Sequence, residues 1–483
     1  MKHATTLNMD GLTLDRVGPA SLAEQISHQI EAAIAEGSLP PGGRLPSWRD
    51  LAAQLGVARG TVKAAYEKLI DKHLLVTAGS AGTRVVSPLP ASITRAPVIT
   101  DADRLVPQNF LQRSDQALVF QLGVPAHDAF PATLWSRLYR QAVQFTASRT
   151  GYADPRGLIE LRSALASHVA IARGIECSPE QIIVTSGYRG GLSIALRAID
   201  ATGRQAWVED PCYPVTRLAL ELSRVHPVPV QIDEAGFNVR RARELAPAAA
   251  LAVVTPGQQA PSGVTLADHR RVELLQWAVE AGSWIVEDDY LAELHLSGRP
   301  ANALAARGAD RVIHLGSFSK TISPALGIGF IVTPLPLARR LIDVATWLGA
   351  PPNAAIQLAL ASLLREGHYL RHLRRMRKLY AERRQCLLDT LARFGIDAAS
   401  PAGLSVMLPL PNGFDDQQLT VSARAAGLGP TPLSPWFADA SRCRAGLLLG
   451  VTNVLERTIE RDCRRLLALI GDPIGRMKPA AAH

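Results

Sequence analysis

The sequence predicts an α/β chain in two parts, a small N-terminal helical unit and a large unit built on a mixed, mostly parallel sheet. Three observations carry this. Residues 18–87 hold closely spaced helical patterns that meet at a glycine and end in a glycine-punctuated hairpin. Residues 88–115 contain Pro88, Pro90, Pro97 and Pro107 with little periodicity, as in a linker stiffened by proline. From 116 to 475, apolar runs of strand length alternate with amphipathic helical stretches, the pattern of a sheet with crossover helices.

Composition excludes several classes. The chain has 483 residues, 47% apolar and 20% charged, close to ordinary globular usage, so a largely disordered chain is ruled out. The longest stretch without a charge, Leu245 to Ala267, contains Pro256, Gly257 and Pro261 and cannot be an apolar spanning helix, so no membrane partner is expected. The N-terminus lacks an apolar signal core, which makes the cytosol the expected compartment. Five scattered cysteines (Cys177, Cys212, Cys386, Cys443, Cys463) form no CxxC pair and read as reduced. The net charge of +9 favours polyanionic partners. Its placement says more: Arg44, Arg49, Arg59 and Lys63 face only Asp50 over residues 44–63.

The N-terminal elements follow in order. Leu22, Ile26, Ile30 and Ile34 give Ser21 to Glu36 one apolar helical face. Pro40-Pro41-Gly42-Gly43 makes a turn. Ser47 suits the N-cap of a helix over Trp48–Leu55, with Asp50 completing a capping-box variant. Gly56-Val57 turns the chain, and Ala58 to Ile70 forms a second helix, giving a helix-turn-helix. Leu74–Thr77 and Thr83–Val86 flank a Gly-rich loop and read as a β-hairpin, the wing of a winged helix. Arg59 and Lys63 are four apart and share one face of the second helix.

The runs Leu39-Pro40-Pro41-Gly42-Gly43-Arg44-Leu45-Pro46-Ser47, Arg49-Asp50-Leu51-Ala52, Leu55-Gly56-Val57-Ala58-Arg59-Gly60-Thr61-Val62 and Gly82-Thr83 resemble the GntR family. The resemblance implies operator DNA as partner, with Arg49, Arg59, Thr61 and Lys63 at the contact and Arg44 in the same basic segment. Arg59 lies at the end of the recognition helix that enters the major groove. Ser47, Thr61 and the Gly82 backbone suit phosphate contacts. Trp48 departs from the family, which has a charged or small residue there. The alternative is a solvated basic face on a fold that meets only protein.

In the large unit, Leu315-Gly316-Ser317-Phe318-Ser319-Lys320 places a lysine after two spaced hydroxyls. Pyridoxal phosphate (PLP) sites use such a set, the lysine forming a Schiff base and the serines binding phosphate. Trp284 to Tyr290 is an apolar strand ending in Glu287, Asp288, Asp289 and a tyrosine. An acid there can hold a pyridinium proton, and Tyr290 can reach the phenolate oxygen. Ile182 to Gly187 is a strand followed by a small-residue turn and a helix, which offers backbone N–H groups to phosphate.

Together with Gly151 to Gly157, Val208 to Tyr213 and Thr255 to Gly263, these segments resemble fold-type I aminotransferases, with a smaller C-terminal α/β subdomain. Joined to the GntR-like head, the chain is similar to the MocR family of transcription factors. The resemblance implies that Lys320 bonds the cofactor aldehyde and Asp288 pairs with the pyridine nitrogen. It places Tyr290 on the phenolate, Tyr213 on the ring, and Ser186, Gly187, Ser317 and Ser319 on the phosphate. Tyr213 also suits a plain core position, Asp288 a salt-bridged acid, and Lys320 a surface lysine. A homodimer and an amine or amino-acid effector are implied too.

Departures point away from turnover. Gly327 stands where the family has a phosphate-clamping arginine, and Arg189 in a neighbouring turn offers a substitute cation. Ala260 replaces the asparagine set against the phenolate. Leu448 replaces the arginine that grips a substrate carboxylate, with Arg444 close by. The expected function is a PLP-binding regulator. The rivals are a working aminotransferase with a DNA-binding appendage and a ligand-sensing scaffold that has lost PLP. Arg365 to Arg384, with eight basic residues against Glu366 and Glu382, reads as one long basic helix. It is either a solvated face or an auxiliary DNA path.

Overall fold

The computed structural model describes residues 12–16, 20–77, 79, 82–87, 117–148, 151–296, 301–348, 351–398, 403–411 and 413–471. The chain forms two compact units, Met1–Leu105 and Val106–His483. The expected linker, residues 88–115, lies outside the described residues.

In the first unit α1 (Leu22–Ala35) starts at a reciprocal capping box between Ser21 and Glu24 and buries Ile26, Ile30 and Ile34. Helix α2 (Trp48–Leu55) is capped by Ser47 and stops at Gly56, whose φ of 62° is the left-handed conformation that glycine adopts without strain. Helix α3 (Arg59–Asp71) packs Val62, Ala65, Tyr66 and Leu69 against both. The Tyr66 hydroxyl donates to the Pro46 carbonyl at 2.9 Å and fixes the approach to α2. Strands β1 (Leu75–Thr77) and β2 (Thr83–Val85) form the expected antiparallel wing.

The second unit is built on eight strands: β3 (Ile182–Thr185), β4 (Gln205–Asp210), β5 (His226–Asp233), β6 (Gly236–Phe237), β7 (Leu251–Val254), β8 (Trp284–Asp288), β9 (Val312–Ser317) and β10 (Gly329–Val332). Their order is β3-β10-β9-β8-β7-β4-β5-β6. All neighbours from β9 to β5 run parallel, while β10 is antiparallel to both its neighbours and β6 to β5. The sheet is therefore mixed and mostly parallel, as expected. Side chains alternate between two cores. Ile182 and Val184 face one and Ile183 the other; Ala252 and Val254 face one and Leu251 and Val253 the other. The helices Ile159–Arg173 and Asp268–Glu280 cover the first face, and Tyr188–Ile199 and Leu335–Leu348 the second.

A smaller C-terminal subdomain carries β11 (Ser405–Pro409), β12 (Thr431–Pro432) and β13 (Gly446–Gly450) in the order β11-β13-β12, with helices His368–Arg393, Asp416–Ala425 and Ile459–Ile470. The basic stretch differs from the sequence reading. Gly367, at φ 69°, separates a helix Ala354–Arg365 from the helix His368–Arg393, so Arg365 and Arg384 lie on different helices. Tyr369, Leu373, Met376 and Tyr380 are buried along the second helix.

Since β3, β4, β7, β8 and β9 point the same way, Ser186, Tyr213, Ala260, Tyr290 and Lys320 all follow strands that end on one edge. In an open α/β sheet that edge is where ligands bind.

Candidate functional site

Lys320 lies three residues beyond β9, and its Nζ donates to the carbonyl of Gly123 at 2.9 Å. Gly123 has a φ of 76°, which favours glycine, and a Cβ there would sit 2.6 Å from Nζ, so a side chain at this position would push the lysine off its carbonyl. Burial lowers the Lys320 pKa; Asp288 opposes this and Arg189 adds to it. The amine is thus easier to deprotonate than a surface lysine.

Asp288 ends β8 and is 7% exposed. Burial pushes its pKa well above the usual carboxylate range, reinforced by Asp289 and Glu209 and opposed by Lys320. Tyr290, two residues on, is pushed up by burial first and then by Asp288 and Glu209. The buried acid, the half-buried amine and the half-buried phenol therefore share one electrostatic neighbourhood.

Ser317 and Ser319 meet as the spacing implied. The Ser317 Oγ donates to the Ser319 Oγ at 3.0 Å, and the Ser319 amide donates back to the Ser317 Oγ at 3.2 Å. Gly329 pairs with both Ser317 and Thr185 across β10. A Cβ on Gly329 would lie 2.7 Å from the Gly316 carbonyl and 2.9 Å from the Gly187 Cα, so this glycine lets the two loops close on each other. Gly187 takes a φ of 82° and opens the helix Tyr188–Ile199, with Ser186 exposed beside it. Gly327, also left-handed, caps a short 3-10 turn.

Tyr213 precedes the helix Pro214–Leu222, and its ring lies 5.8 Å from that of Trp436 at 44°. The Trp436 segment is held from below. Arg217 donates to the carbonyl of Trp436 at 2.6 Å, Cys212 N to the same carbonyl at 2.9 Å, and Ala438 N to Asp210 Oδ1 at 2.8 Å. Leu448 is completely buried at the centre of β13, opposite Met407 and Thr431. With Ala260, Leu433 and Trp436 it forms one apolar cluster against which Tyr213 and Tyr290 pack. Arg444 is exposed and outside this cluster.

Several residues here carried no expectation. Glu209 is buried at the end of β4 and accepts from Thr255 N at 3.1 Å, Thr255 Oγ1 at 2.6 Å and Gln259 Nε2 at 3.3 Å. Burial pushes its pKa up to about 7 against those bonds. Beneath Asp288, Arg173 grips Asp289, Nε to Oδ2 at 2.6 Å, and His314 Nδ1 meets Glu287 Oε2 at 2.9 Å. Burial acts to raise the Glu287 pKa, but His314, the Leu304 amide and Arg173 bring it below the ordinary value. Glu209 had a signal, since it stands in the Val208 to Tyr213 marker. Arg173 had none, being one arginine on an amphipathic helix.

In the first unit Arg49, Arg59 and Lys63 are exposed and Thr61 half-buried. Lys63 sits 3.6 Å from Glu67 one turn on. Helix α3 starts at Ala58 without a side-chain cap, so its first N–H groups lie beside Arg59. The Arg49 guanidinium lies over the Trp48 ring at 4.8 Å, which gives the unusual tryptophan a physical role. The Ser47 hydroxyl caps α2 by accepting from Asp50 N at 3.2 Å and donating to Asp50 Oδ2 at 2.7 Å. Arg44 bridges to Arg84 across the wing, 3.1 Å from where a Cβ on Gly82 would stand. Of the basic helix, Arg383 is buried on Asp128 and the Thr452 carbonyl, and Arg377 donates to the Glu293 carbonyl at 2.8 Å. Those two hold structure together, while Arg374 and Lys378 stay exposed.

Comparison with known proteins agrees with both halves. The gntR family of bacterial regulatory proteins matches residues 22–85, and aminotransferase class I and II matches residues 127–424. The chain is 32% identical over 472 residues to the probable rhizopine catabolism regulatory protein MocR of Rhizobium meliloti, covering 94% of this chain and 95% of that one. It is 35% identical over 462 residues to the HTH-type pyridoxine biosynthesis transcriptional regulator PdxR of Corynebacterium glutamicum, covering 94% and 96%. A crystal structure of an archaeal alanine:glyoxylate aminotransferase superposes with a TM-score of 0.67 at 23% identity, over 74% of this chain and 92% of that one, and so shares its fold. Among the described residues no helix is long and apolar enough to cross a membrane. With a GntR winged helix joined to an aminotransferase class I and II domain, and this likeness along nearly its whole length, the chain belongs to the MocR and PdxR kind of HTH-type transcriptional regulators.

Proposed function

We propose that the larger unit binds PLP at Lys320 and reads the state of that site, together with a small amine or amino-acid effector, out to an operator held by the winged helix. The observation that supports this is the placement of Lys320, its Nζ on the Gly123 carbonyl, and of the buried Asp288 after neighbouring parallel strands at the ligand edge of the sheet, close enough for each to oppose the other's burial-driven pKa shift. Bound PLP supplies an aldehyde that condenses with primary amines. Lys320 offers the amine for it. Asp288 keeps a proton where a pyridine nitrogen would be held, and Tyr290 offers a hydroxyl to the phenolate. Tyr213 offers a ring to stack. Ser317, Ser319, Ser186 and the Gly187 turn offer donors to the phosphate, with Arg189 supplying the cation that Gly327 does not.

Leu448 in its apolar cluster speaks for sensing over turnover. The pyridoxine-biosynthesis role in the PdxR relative's name supports vitamin B6 as part of the signal. Tyr152, Trp347 and Phe145 are 107%, 86% and 52% exposed, and such apolar surface on one chain supports a homodimer. A cytoplasmic location follows from operator binding. On the DNA side Arg59 reads a base, while Arg44, Arg49, Thr61, Lys63 and the Gly82 backbone position phosphates. The Ser47 hydroxyl serves its helix cap. Residues 18–87 and 116–475 are the corresponding domains.

The test is borohydride reduction of the full chain after incubation with PLP. A phosphopyridoxyl group on the peptide containing Lys320 is expected. Its absence with excess PLP overturns the proposal and leaves a scaffold without cofactor.

A further inference from the structure

One residue beyond Lys320 the chain is clamped by an element distant in sequence. Lys320 sits in a tight turn, where the amides of Ile322 and Ser323 both donate to the Phe318 carbonyl, at 2.9 and 3.2 Å. Within that turn Thr321 is 2% exposed and is gripped at two groups by the helix His368–Arg393. Tyr369 Oη lies 3.1 Å from Thr321 Oγ1, and His372 Nε2 donates to the Thr321 carbonyl at 2.8 Å.

Both grips are themselves fixed. The Tyr369 hydroxyl donates to Glu293 Oε2 at 2.6 Å, and the other carboxylate oxygen meets His168 Nε2. The Tyr369 ring packs edge-on against Phe318 at 5.5 Å and against His168 at 5.2 Å. Since a carbonyl only accepts, His372 carries its proton on Nε2. Its Nδ1 is buried with no hydrogen-bond partner among the described residues, so the ring serves that one bond. The same helix also holds what Lys320 reaches. Tyr380 accepts from the Ala126 amide at 3.0 Å. Arg383 donates to the Thr452 carbonyl, while the Thr452 hydroxyl donates to the carbonyl of Val124, next to Gly123, at 2.7 Å. Over about three turns, from Tyr369 to Tyr380, one helix fixes both the base of the lysine and the far end of its bond.

We propose that Tyr369 and His372 are positioning residues for the Lys320 amine: by locking the hydroxyl and carbonyl of Thr321 they set how deeply that amine stands at the ligand edge. This rests on the reading that Lys320 is the amine that takes PLP.

Only a planar peptide unit and its flanking torsions separate the locked Thr321 from the Lys320 stem. Depth in turn governs the amine. Burial lowers its pKa, with Asp288 opposing and Arg189 assisting. A turn released from Thr321 lets the amine swing toward water, and its pKa rises toward the ordinary 10.5. Bonds that merely stabilised the fold would change unfolding and leave that titration where it is.

The test reads the amine directly. The full chain, without added PLP, is labelled with a limiting amount of acetic anhydride across a pH series, and acetylation of Lys320 is followed by mass spectrometry. Tyr369→Phe and His372→Leu are each expected to raise the labelling midpoint by about half a pH unit or more. His372→Gln keeps an N–H for the Thr321 carbonyl and is expected to stay near the native midpoint. Loaded with PLP, the first two variants should lose it on dialysis about threefold to tenfold faster, the effect of one lost hydrogen bond. Thermal unfolding checks that each variant is folded; if His372→Leu is not, Tyr369→Phe, which deletes one oxygen, decides alone. An unmoved midpoint in the folded variants overturns the inference, whatever happens to their unfolding. So does a His372→Gln midpoint displaced as far as that of His372→Leu. Borohydride reduction of the PLP-loaded native chain runs alongside. If it leaves no adduct on Lys320 the proposed function falls, while the labelling, which uses no cofactor, still decides whether these two residues set the amine.

Discussion

Arg173→Ala removes the guanidinium beneath the candidate site. The Arg173 side chain is 3% exposed and that of Asp289 is 6% exposed. Arg173 Nε reaches Asp289 Oδ2 at 2.6 Å, Nη2 reaches Oδ1 at 3.4 Å, and Nη1 donates to the Ala301 carbonyl at 3.0 Å. Truncation therefore removes the hydrogen bonds to a buried carboxylate and a carbonyl together, leaving only His314 Nε2, at 3.6 Å, facing Asp289 Oδ2 among the described side-chain partners. Breaking a buried pair in this way costs ~3–5 kcal/mol. The loss depends on pH. Burial already raises the Asp289 pKa, and Arg173 is the strongest opposing pull. Without Arg173 the folded pKa climbs further above its unfolded value, so Asp289 escapes the penalty at low pH by keeping its proton. The deficit is smallest near the unfolded aspartate pKa and grows as pH rises. Urea unfolding at several pH values measures it, read by the fluorescence of Trp207 and Trp277, which stack at 3.8 Å inside the larger unit. Arg173→Lys recovers part of the loss, since an ammonium cannot reproduce the forked contact. A deficit below about 1 kcal/mol at every pH, or one that does not change with pH, refutes the reasoning.

Further outcomes follow from the same geometry. Glu209 has its pKa raised from 4.5 to about 7. Its folded form keeps a proton that the unfolded chain releases, so its contribution is intact below 4.5 and is lost as pH rises through about 7. Glu209→Gln is free of this, and its stability relative to the native chain should improve by up to roughly 3 kcal/mol across that window; a flat difference in denaturation curves counts against it. Arg59→Ala should cost ~1–3 kcal/mol at the operator and relax one base position. Lys63→Ala should weaken all sequences alike and lower the salt slope by about one unit, both read by binding at several salt concentrations. Gly329→Ala sets a Cβ against the Gly316 carbonyl and Gly187, and the strain of ~1–3 kcal/mol should appear as weaker PLP retention in dialysis; unchanged retention would mean the two loops relax freely.

Much of the fold was legible because its signals are local. Ser47 with Asp50 and Gly56 mark helix ends through bonds made within four residues, and both appear where the spacing put them, while the equally local Ser21–Glu24 box comes from the structure. The strands β3, β4, β7, β8 and β9 were readable because burial on both faces makes Gln181–Thr185, Ala206–Val208, Leu251–Thr255, Trp284–Val286 and Arg311–Leu315 largely apolar runs of strand length. β5 was not, because Pro227 and Pro229 interrupt it. The prolines are tolerated there because over those residues it pairs on one side only, with β4. The break at Gly367 was hidden by its flanks, since charged and apolar residues continue the helical pattern on either side of a single left-handed residue.

The candidate site divides along the same line. Lys320, Asp288 and Ser317 stand in short segments whose residue types declare their chemistry. Gly123 and Arg173 act from 197 and 116 residues away along the chain, and their neighbours in sequence say nothing of it. Leu448 is the instructive case between these extremes. Its sequence context showed that a cation was missing, but an absent arginine is compatible with a water-filled pocket, a replacement cation or an apolar wall. Only the packing of Leu448 with Ala260, Leu433 and Trp436 decides among them. Under the proposed function, the apolar packing of Leu448 removes the anchor for an amino-acid carboxylate while Lys320 keeps its amine, a combination that suits a sensor whose ligand binds and leaves unchanged.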